Sequence, residues 1–184
     1  MFDVLLSLVF TLLILNTTSY WLKTALLLVL VLLLAPGIYA MITGAPFVIT
    51  RKKQMQAMLK LGRFSAKDRV VELGCGDGRI IRAIAGMGVK EAIGYEFSIP
   101  TCMWAKILSI LKRKGERIEF ANFWKKDFSK VDGVMCFLLV DAMNEFEKKI
   151  WPRLKKGTRV VSNTFKLKGV KPVMVEEGVY LYVR

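Results

Sequence analysis

Histidine is absent from all 184 residues, which removes Ser-His-Asp and Cys-His nucleophile pairs, imidazole general bases and histidine-ligated metals. The chemistry must run without them. Cysteine is nearly as scarce. Cys75, Cys102 and Cys136 are odd in number and far apart, which fits neither a disulfide framework nor a Cys-x-x-Cys metal or redox site and agrees with a reducing compartment. No metal site is expected. Charge is almost missing from residues 1–50, which hold only Asp3 and Lys23, so residues 51–184 carry 28 of the 29 basic side chains, 14 of the 15 acidic ones and the whole net charge of +14. One part is apolar and neutral, the other polar and basic. The length gives room for one domain and a few dozen residues besides.

Two uncharged apolar runs fill the neutral part. Residues 4–15 (VLLSLVFTLLIL) and 24–43 (TALLLVLVLLLAPGIYAMIT) are separated by Asn16 to Lys23. The second run is long enough for a helix to cross roughly 30 Å of hydrocarbon at about 1.5 Å per residue. Pro36 and Gly37 interrupt it, a break that a membrane helix tolerates where the freed backbone groups are re-satisfied. The first run, extended through Leu22, reaches a similar length, with Tyr20 and Trp21 suited to an interface. The expectation is a transmembrane anchor over residues 1–45, as a helical hairpin of 4–22 and 24–43, with one long helix bearing a polar waist as the rival. A signal peptide is disfavoured because no basic residue precedes the first run. A buried helix of a soluble protein is disfavoured because Leu26 to Leu34 is apolar on every side. Arg51-Lys52-Lys53 follows the second run and places that end, with the rest of the chain, on the cytoplasmic side.

From residue 46 onward helical and strand patterns alternate. Lys53 to Leu61 reads as a helix, with Met55, Met58, Leu59 and Leu61 at helical spacing and Gly62 ending it. Strands are predicted at Arg69–Leu73, Ala92–Tyr95, Arg117–Phe120, Gly133–Leu139 and Thr158–Ser162. Helices are predicted at Arg79–Ala85, Thr101–Lys112 (capped near Ser98) and Asp141–Ile150. Val173–Val175 and Val179–Val183 read as a terminal antiparallel hairpin around Glu176-Glu177-Gly178. The fold class is α/β, Rossmann-like, with a mainly parallel sheet, helices on both faces and ligands outside the carboxyl ends of the strands.

The informative stretch is Val70-Val71-Glu72-Leu73-Gly74-Cys75-Gly76-Asp77-Gly78-Arg79. Glycines 74, 76 and 78 follow a buried strand and precede a helix, where a tight turn lets backbone and helix terminus approach a ligand. The spacing is Gly-x-Gly-x-Gly, with arginine at 79, which disfavours a nicotinamide or flavin pyrophosphate site. Glu96 ends the second strand about 20 residues on, where a carboxylate can accept from both ribose hydroxyls and so select a nucleoside. Asp127, after the third strand, is placed for an adenine amino group or equally for a helix cap or surface charge. Cys75 reads as a small side chain tolerated between glycines. Met55, Met58, Trp104 and Phe137 read as core.

The run Glu72 to Gly78, with Glu96, resembles the class I, seven-β-strand S-adenosylmethionine methyltransferases over residues 50–184. A narrower likeness joins a membrane segment, Gly44-Ala45-Pro46-Phe47-Val48-Ile49-Thr50, VVELGCGDGRI, GYEFS, WKKDF and RVVSNTF in that order. These resemble the membrane-anchored protein-lysine methyltransferases whose mitochondrial members modify the adenine nucleotide translocase and the ATP synthase c subunit. The chain departs from that pattern at Ile49, where proline is common, and in its extra first apolar run. The resemblance implies S-adenosyl-L-methionine as cofactor and a methyltransferase domain over 46–184. It implies that Gly74, Gly76 and Gly78 line the methionine moiety, Glu72 sits beside its amino end, Glu96 holds the ribose, Asp127 lies near adenine, and Thr50 closes the site, with Cys75 and Phe97 also among the cofactor-binding residues. Catalysis then rests on holding a lone pair aligned behind an already activated methyl, for which a lysine must first lose its proton. Asp141 is a candidate for steering that lysine, with a helix cap as its other reading.

The fourth strand runs into Phe137-Leu138-Leu139-Val140-Asp141 with no Asn-Pro-Pro-Tyr-like sequence, the mark in this fold of methylation at planar amide or base nitrogens. Nucleic-acid adenine and glutamine are disfavoured as acceptors, and a lysine of a protein at the same membrane is expected. The basic side chains are scattered without an aromatic stripe, which suits anionic headgroups as well as RNA. The competing readings are a lipid or quinone methyltransferase and a non-catalytic cofactor-binding module.

Overall fold

The computed structural model describes residues 2–43 and 48–184. The expected domain boundary at 45/46 and the segment Gly44-Ala45-Pro46-Phe47 lie outside the described residues.

Seven strands form one sheet: β1 (Arg69–Leu73), β2 (Glu91–Glu96), β3 (Arg117–Phe120), β4 (Gly133–Cys136), β5 (Arg159–Asn163), β6 (Met174–Glu176) and β7 (Val179–Val183). Their order is β3-β2-β1-β4-β5-β7-β6. The first five are parallel, and β7 lies antiparallel between β5 and β6. The order reverses between β1 and β4, where the connections leave in opposite directions and open a crevice at the carboxyl ends. The helices are α1 (Phe2–Asn16), α2 (Tyr20–Thr43), α3 (Lys52–Gly62), α4 (Arg79–Ala85), α5 (Ile99–Lys112) and α6 (Val140–Lys149).

Alternation along the strands builds two cores. Val70, Met135 and Val161 face Met58 and Leu61 of α3, Ile81 and Ile84 of α4, and Cys102 and Ala105 of α5. Val71, Leu73, Val134, Cys136 and Val160 face Met143 and Phe146 of α6 on the opposite side. The period of two in the strands and 3.6 in the helices sends each residue to its layer. Met58 is fully buried as expected, but Trp104 lies on the outer side of α5 and is exposed.

Most boundaries shift by a residue or two from expectation, and three of the differences bear on the anchor and the site. The first apolar run stops at Asn16, and Tyr20, Trp21 and Leu22 open α2. Ser19 starts that helix, its carbonyl accepting from Lys23 N at 3.0 Å and its hydroxyl from Leu22 N, because a short polar side chain competes for the backbone between helices. Among the described residues one helix, over Tyr20–Tyr39, is long and apolar enough to cross a membrane. α1, at 15 residues, spans about 22 Å and is shorter than the hydrocarbon core. β4 ends at Cys136 and not at Leu139. Cys136 pairs with Leu73, the last residue of β1, and beyond that point the neighbouring chain bends into its glycine turn and offers no ladder. Finally, α6 begins at Val140 with Leu139 as its N-cap residue and no side-chain cap bond, so Asp141 does not cap it.

Candidate cofactor and methyl-transfer site

The site starts from backbone conformation. Gly74, Gly76 and Gly78 have φ of 69°, 56° and 74°, the left-handed region where a β-carbon clashes with the following carbonyl. Cys75 N donates to Tyr95 O at 2.9 Å, carrying the β1–β2 ladder one step past the strand, and Gly78 N donates to Cys75 O at 2.8 Å to close the turn. A β-carbon on Gly78 would stand 3.1 Å from Ile118 Cδ1 and 3.2 Å from Arg82 Nη2. The bend is a cradle that side chains would fill.

Two carboxylates fix the cradle. Glu96, buried at the end of β2, accepts from Gly76 N at 2.9 Å through Oε2, and from Phe97 N at 2.9 Å and Ser98 N at 2.8 Å through Oε1. Glu72, buried on β1, accepts from Ile81 N at 2.9 Å in the first turn of α4. Burial pushes the Glu72 carboxyl well above the usual carboxylate range, and the charges of Asp77 and Glu96 push in the same direction. Asp77 behaves oppositely: burial opposes its ionisation, but the forked Arg79 guanidinium, at 2.7 Å and 3.0 Å, outweighs it and holds the carboxyl low. Arg82 completes the turn by donating to Asp77 O at 3.0 Å and to Glu116 Oε1 at 2.7 Å.

Cys75 is buried, and a β-carbon at Gly94 would come within 2.7 Å of its Sγ. Burial drives its thiol pKa well up, so it is a packing residue with an inert sulfur. The Phe97 ring stacks on Phe120 at 5.5 Å, and Tyr39 of α2 meets its edge at 5.9 Å. Ser98 caps α5 by accepting from Thr101 N.

The sequence-predicted residues therefore fall into two groups. Glu72, Gly74, Cys75, Gly76, Gly78, Glu96 and Phe97 meet at one corner of the sheet. Thr50 is buried on a different element, ahead of α3, which packs across β5 and β7. Asp127 lies on an exposed turn and accepts from Ser129 N and Oγ, both at 2.9 Å. Asp141 is exposed in the first turn of α6, beside the chain leaving β4.

Sequence reasoning passed over two places. Ala121 N donates to Glu96 O at 3.0 Å, so Asn122, half-buried where the chain leaves β3, is the polar side chain next to the end of β2. The spacing between strand and residue was the available signal. At the end of β5, Asn163 is wholly buried with no partner for Nδ2 among the described residues, and Thr164 beyond it has φ 66°. Phe137 and Phe165, following β4 and β5, stack at 6.2 Å. Buried unpaired amides and left-handed β-branched residues concentrate at functional sites, and no local pattern announces them.

The family model of the ANTKMT methyltransferase domain matches residues 72–174. The chain belongs to that family. A protein-lysine N-methyltransferase from Saccharolobus islandicus is 37% identical over 75% of this chain and 92% of its own length. The lysine N-methyltransferase of the ATP synthase c subunit from Xenopus laevis is 33% identical over 65% of this chain and 53% of its own, and the mouse adenine nucleotide translocase lysine N-methyltransferase is 32% identical over 78% and 64%. The chain thus spans about half to two thirds of those two relatives. Among solved structures, an RNA methyltransferase from Salinibacter ruber in complex with S-adenosyl-L-homocysteine aligns with TM-score 0.68 and 26% identity over 74% of this chain and 93% of that one.

This methyltransferase shares the α/β fold of its structural neighbours, and its cofactor is S-adenosylmethionine. The residues present fit that group: three left-handed glycines give a bare backbone surface, and Glu96 and Asn122 set polar side chains at the adjacent strand ends.

Proposed function

We propose that the protein is a membrane-anchored methyltransferase that modifies lysine side chains of a membrane-associated protein, with its domain on the cytoplasmic side. The observation that carries the cofactor reading is the Glu96 carboxylate joining the glycine turn to the end of β2. The names of the lysine-modifying relatives support the acceptor, and the long apolar α2 followed by Arg51-Lys52-Lys53 supports the anchor.

In this reading Gly74, Gly76 and Gly78, with the Cys75 backbone, bed the methionine moiety, and Glu72 stands by its amino end. Glu96 and Phe97 bind the ribose, Asn122 or Asp127 the adenine, and Thr50 closes the site. Bound S-adenosylmethionine supplies an activated sulfonium methyl. The chain's part is to hold and orient an amine. Phe137 and Phe165 offer aromatic faces to an arriving ammonium. Asp141 attracts the charged lysine before it sheds its proton. No imidazole is needed, since alignment provides most of the rate.

Incubating the full chain with radiolabelled S-adenosylmethionine, host membranes and host RNA tests the proposal. A labelled protein band that yields methyllysine on hydrolysis is the expected result. Label confined to the organic phase or to RNA overturns the acceptor, and cofactor binding without transfer to any fraction overturns the enzymatic role.

A further inference from the structure

α5 is built inside out for a helix on a water-soluble domain. Its inner face carries small residues, Cys102 and Ala105, whereas large apolar side chains lie outward at Met103, Ile107, Ile110 and Leu111. These positions are i, i+4, i+7 and i+8, one stripe of a helix. Ile110 and Leu111 are 70% and 71% exposed and Met103 is 57% exposed, with Trp104 at the edge of the stripe. Among the described residues, Met103, Ile107, Ile110 and Leu111 stay exposed even though α1 and α2 both pack against α5. A contiguous apolar surface of this kind marks an interaction site, unlike scattered single side chains.

Charge identifies the occupant. Lys106, Lys112, Arg113 and Lys114 are exposed along and just beyond the stripe, and the sequence from Phe97 to Gly115 contains no acidic residue. The next one, Glu116, is buried against Arg82. An apolar stripe whose own segment carries cations and no acid suits the boundary between acyl chains and anionic headgroups. Position agrees. α2, the one described helix able to span, comes so close to the start of α5 that a β-carbon on Gly37 would lie 3.3 Å from Ser98 Cβ and Oγ. The stripe therefore continues the apolar surface of the anchor.

We infer that α5 is a second membrane-contact element, lying in the headgroup region of an anionic bilayer with Met103, Ile107, Ile110 and Leu111 turned to the acyl chains. This rests on the anchoring proposed above. It makes the domain a body fixed on the bilayer surface, not one swinging on a tether, so that α5, which starts directly after the Glu96 corner, sets that corner's distance from the membrane.

The test uses the full chain in phosphatidylcholine vesicles with and without phosphatidylglycerol. Single cysteines replace Ile107 or Leu111 on α5, Leu28 on α2 and Lys148 on the exposed side of α6, and each carries the environment-sensitive label NBD. The three native cysteines are buried, and labelled wild-type protein is the blank. With spin-labelled phosphatidylcholine as quencher, the expected result is quenching at Ile107→Cys and Leu111→Cys several-fold stronger than at Lys148→Cys, and rising with phosphatidylglycerol. Quenching at Leu28→Cys with none above the Lys148→Cys level at the α5 sites overturns the inference and leaves the anchor intact. Blue-shifted but unquenched α5 labels also overturn it, since protein then covers the stripe. An unquenched Leu28→Cys label removes the anchor and this inference with it.

Discussion

The Glu96 carboxylate accepts a hydrogen bond from the Gly76 backbone N–H at 2.9 Å, tying the bend after β1 to the end of β2. Two further backbone donors, Phe97 N and Ser98 N, hold the same side chain from below. Charge-assisted bonds of this type are worth about 1.5–3 kcal/mol each, so the carboxylate both shapes the cradle and stands at its floor.

Replacing Glu96 by alanine takes the acceptor from three backbone N–H groups, those of Gly76 and Ser98 buried and that of Phe97 part-buried. We expect cofactor affinity in calorimetry to fall by at least about tenfold, equivalent to 1.4 kcal/mol, together with a lower melting temperature. Glu96→Gln, which keeps an oxygen acceptor, falls between. Unchanged affinity in Glu96→Ala would remove Glu96 from the donor site.

Gly78→Ala forces a β-carbon into a left-handed residue with Ile118 and Arg82 already in contact range. The conformational part alone costs about 1–2 kcal/mol. Urea denaturation should show a lower midpoint at unchanged slope, and a midpoint equal to wild type would contradict the geometry.

Glu72 makes stability depend on pH. Its folded-state pKa lies above the unfolded value because burial disfavours the carboxylate, so the native state binds more protons and stability drops as pH climbs. The contribution is complete below the unfolded pKa, near 4.3, and is lost as pH rises through the folded value. The cofactor-free protein should lose melting temperature as pH rises above the unfolded carboxylate pKa, and Glu72→Gln should flatten that decline. Parallel curves for the two proteins would count against the buried carboxyl as the source.

Arg82 and Glu116 form a buried ion pair at 2.7 Å, with Glu116 Oε2 unpartnered among the described residues. Arg82→Met strands the carboxylate and should cost about 3–5 kcal/mol, whereas the apolar double replacement with Glu116→Leu should recover much of that loss. Chemical denaturation of all four proteins gives the coupling, and additive losses would refute it.

Thr164 sits at φ 66°, where glycine has no β-carbon to strain. Thr164→Gly should gain about 1 kcal/mol of stability, read as a higher urea midpoint. Its methyl transfer should fall if the Thr164 corner orients the acceptor. A variant that is more stable and fully active would assign Thr164 no role in the reaction.

Much of the architecture was legible because it is local. β1 ends in a glycine turn and β6 in Glu177-Gly178, the helices carry their own periodicity, and Gly74-x-Gly76-x-Gly78 followed by Glu96 states a backbone bend and an acid at the next strand end. Where reasoning failed, the deciding partner lay far along the chain. β4 stops at Cys136 because β1 bends away, which Gly133 to Leu139 cannot reveal. The spacing around Trp104 predicts a core residue because apolar periodicity looks the same whether the stripe meets a sheet or faces outward.

By itself the sequence determined the alternating α/β order, the glycine turn with its acid, the absence of imidazole chemistry and the segregation of apolar from basic residues. These follow from short-range sterics, solvation and spacing. Only the tertiary structure decided that Gly76 and Glu96 bond, that Asn122 adjoins the end of β2, that Asn163 is buried with no partner at Nδ2 among the described residues, and that α5 turns its large side chains outward. Each of those depends on which distant surfaces are brought together, and burial is a property of the assembled layers and of no single segment.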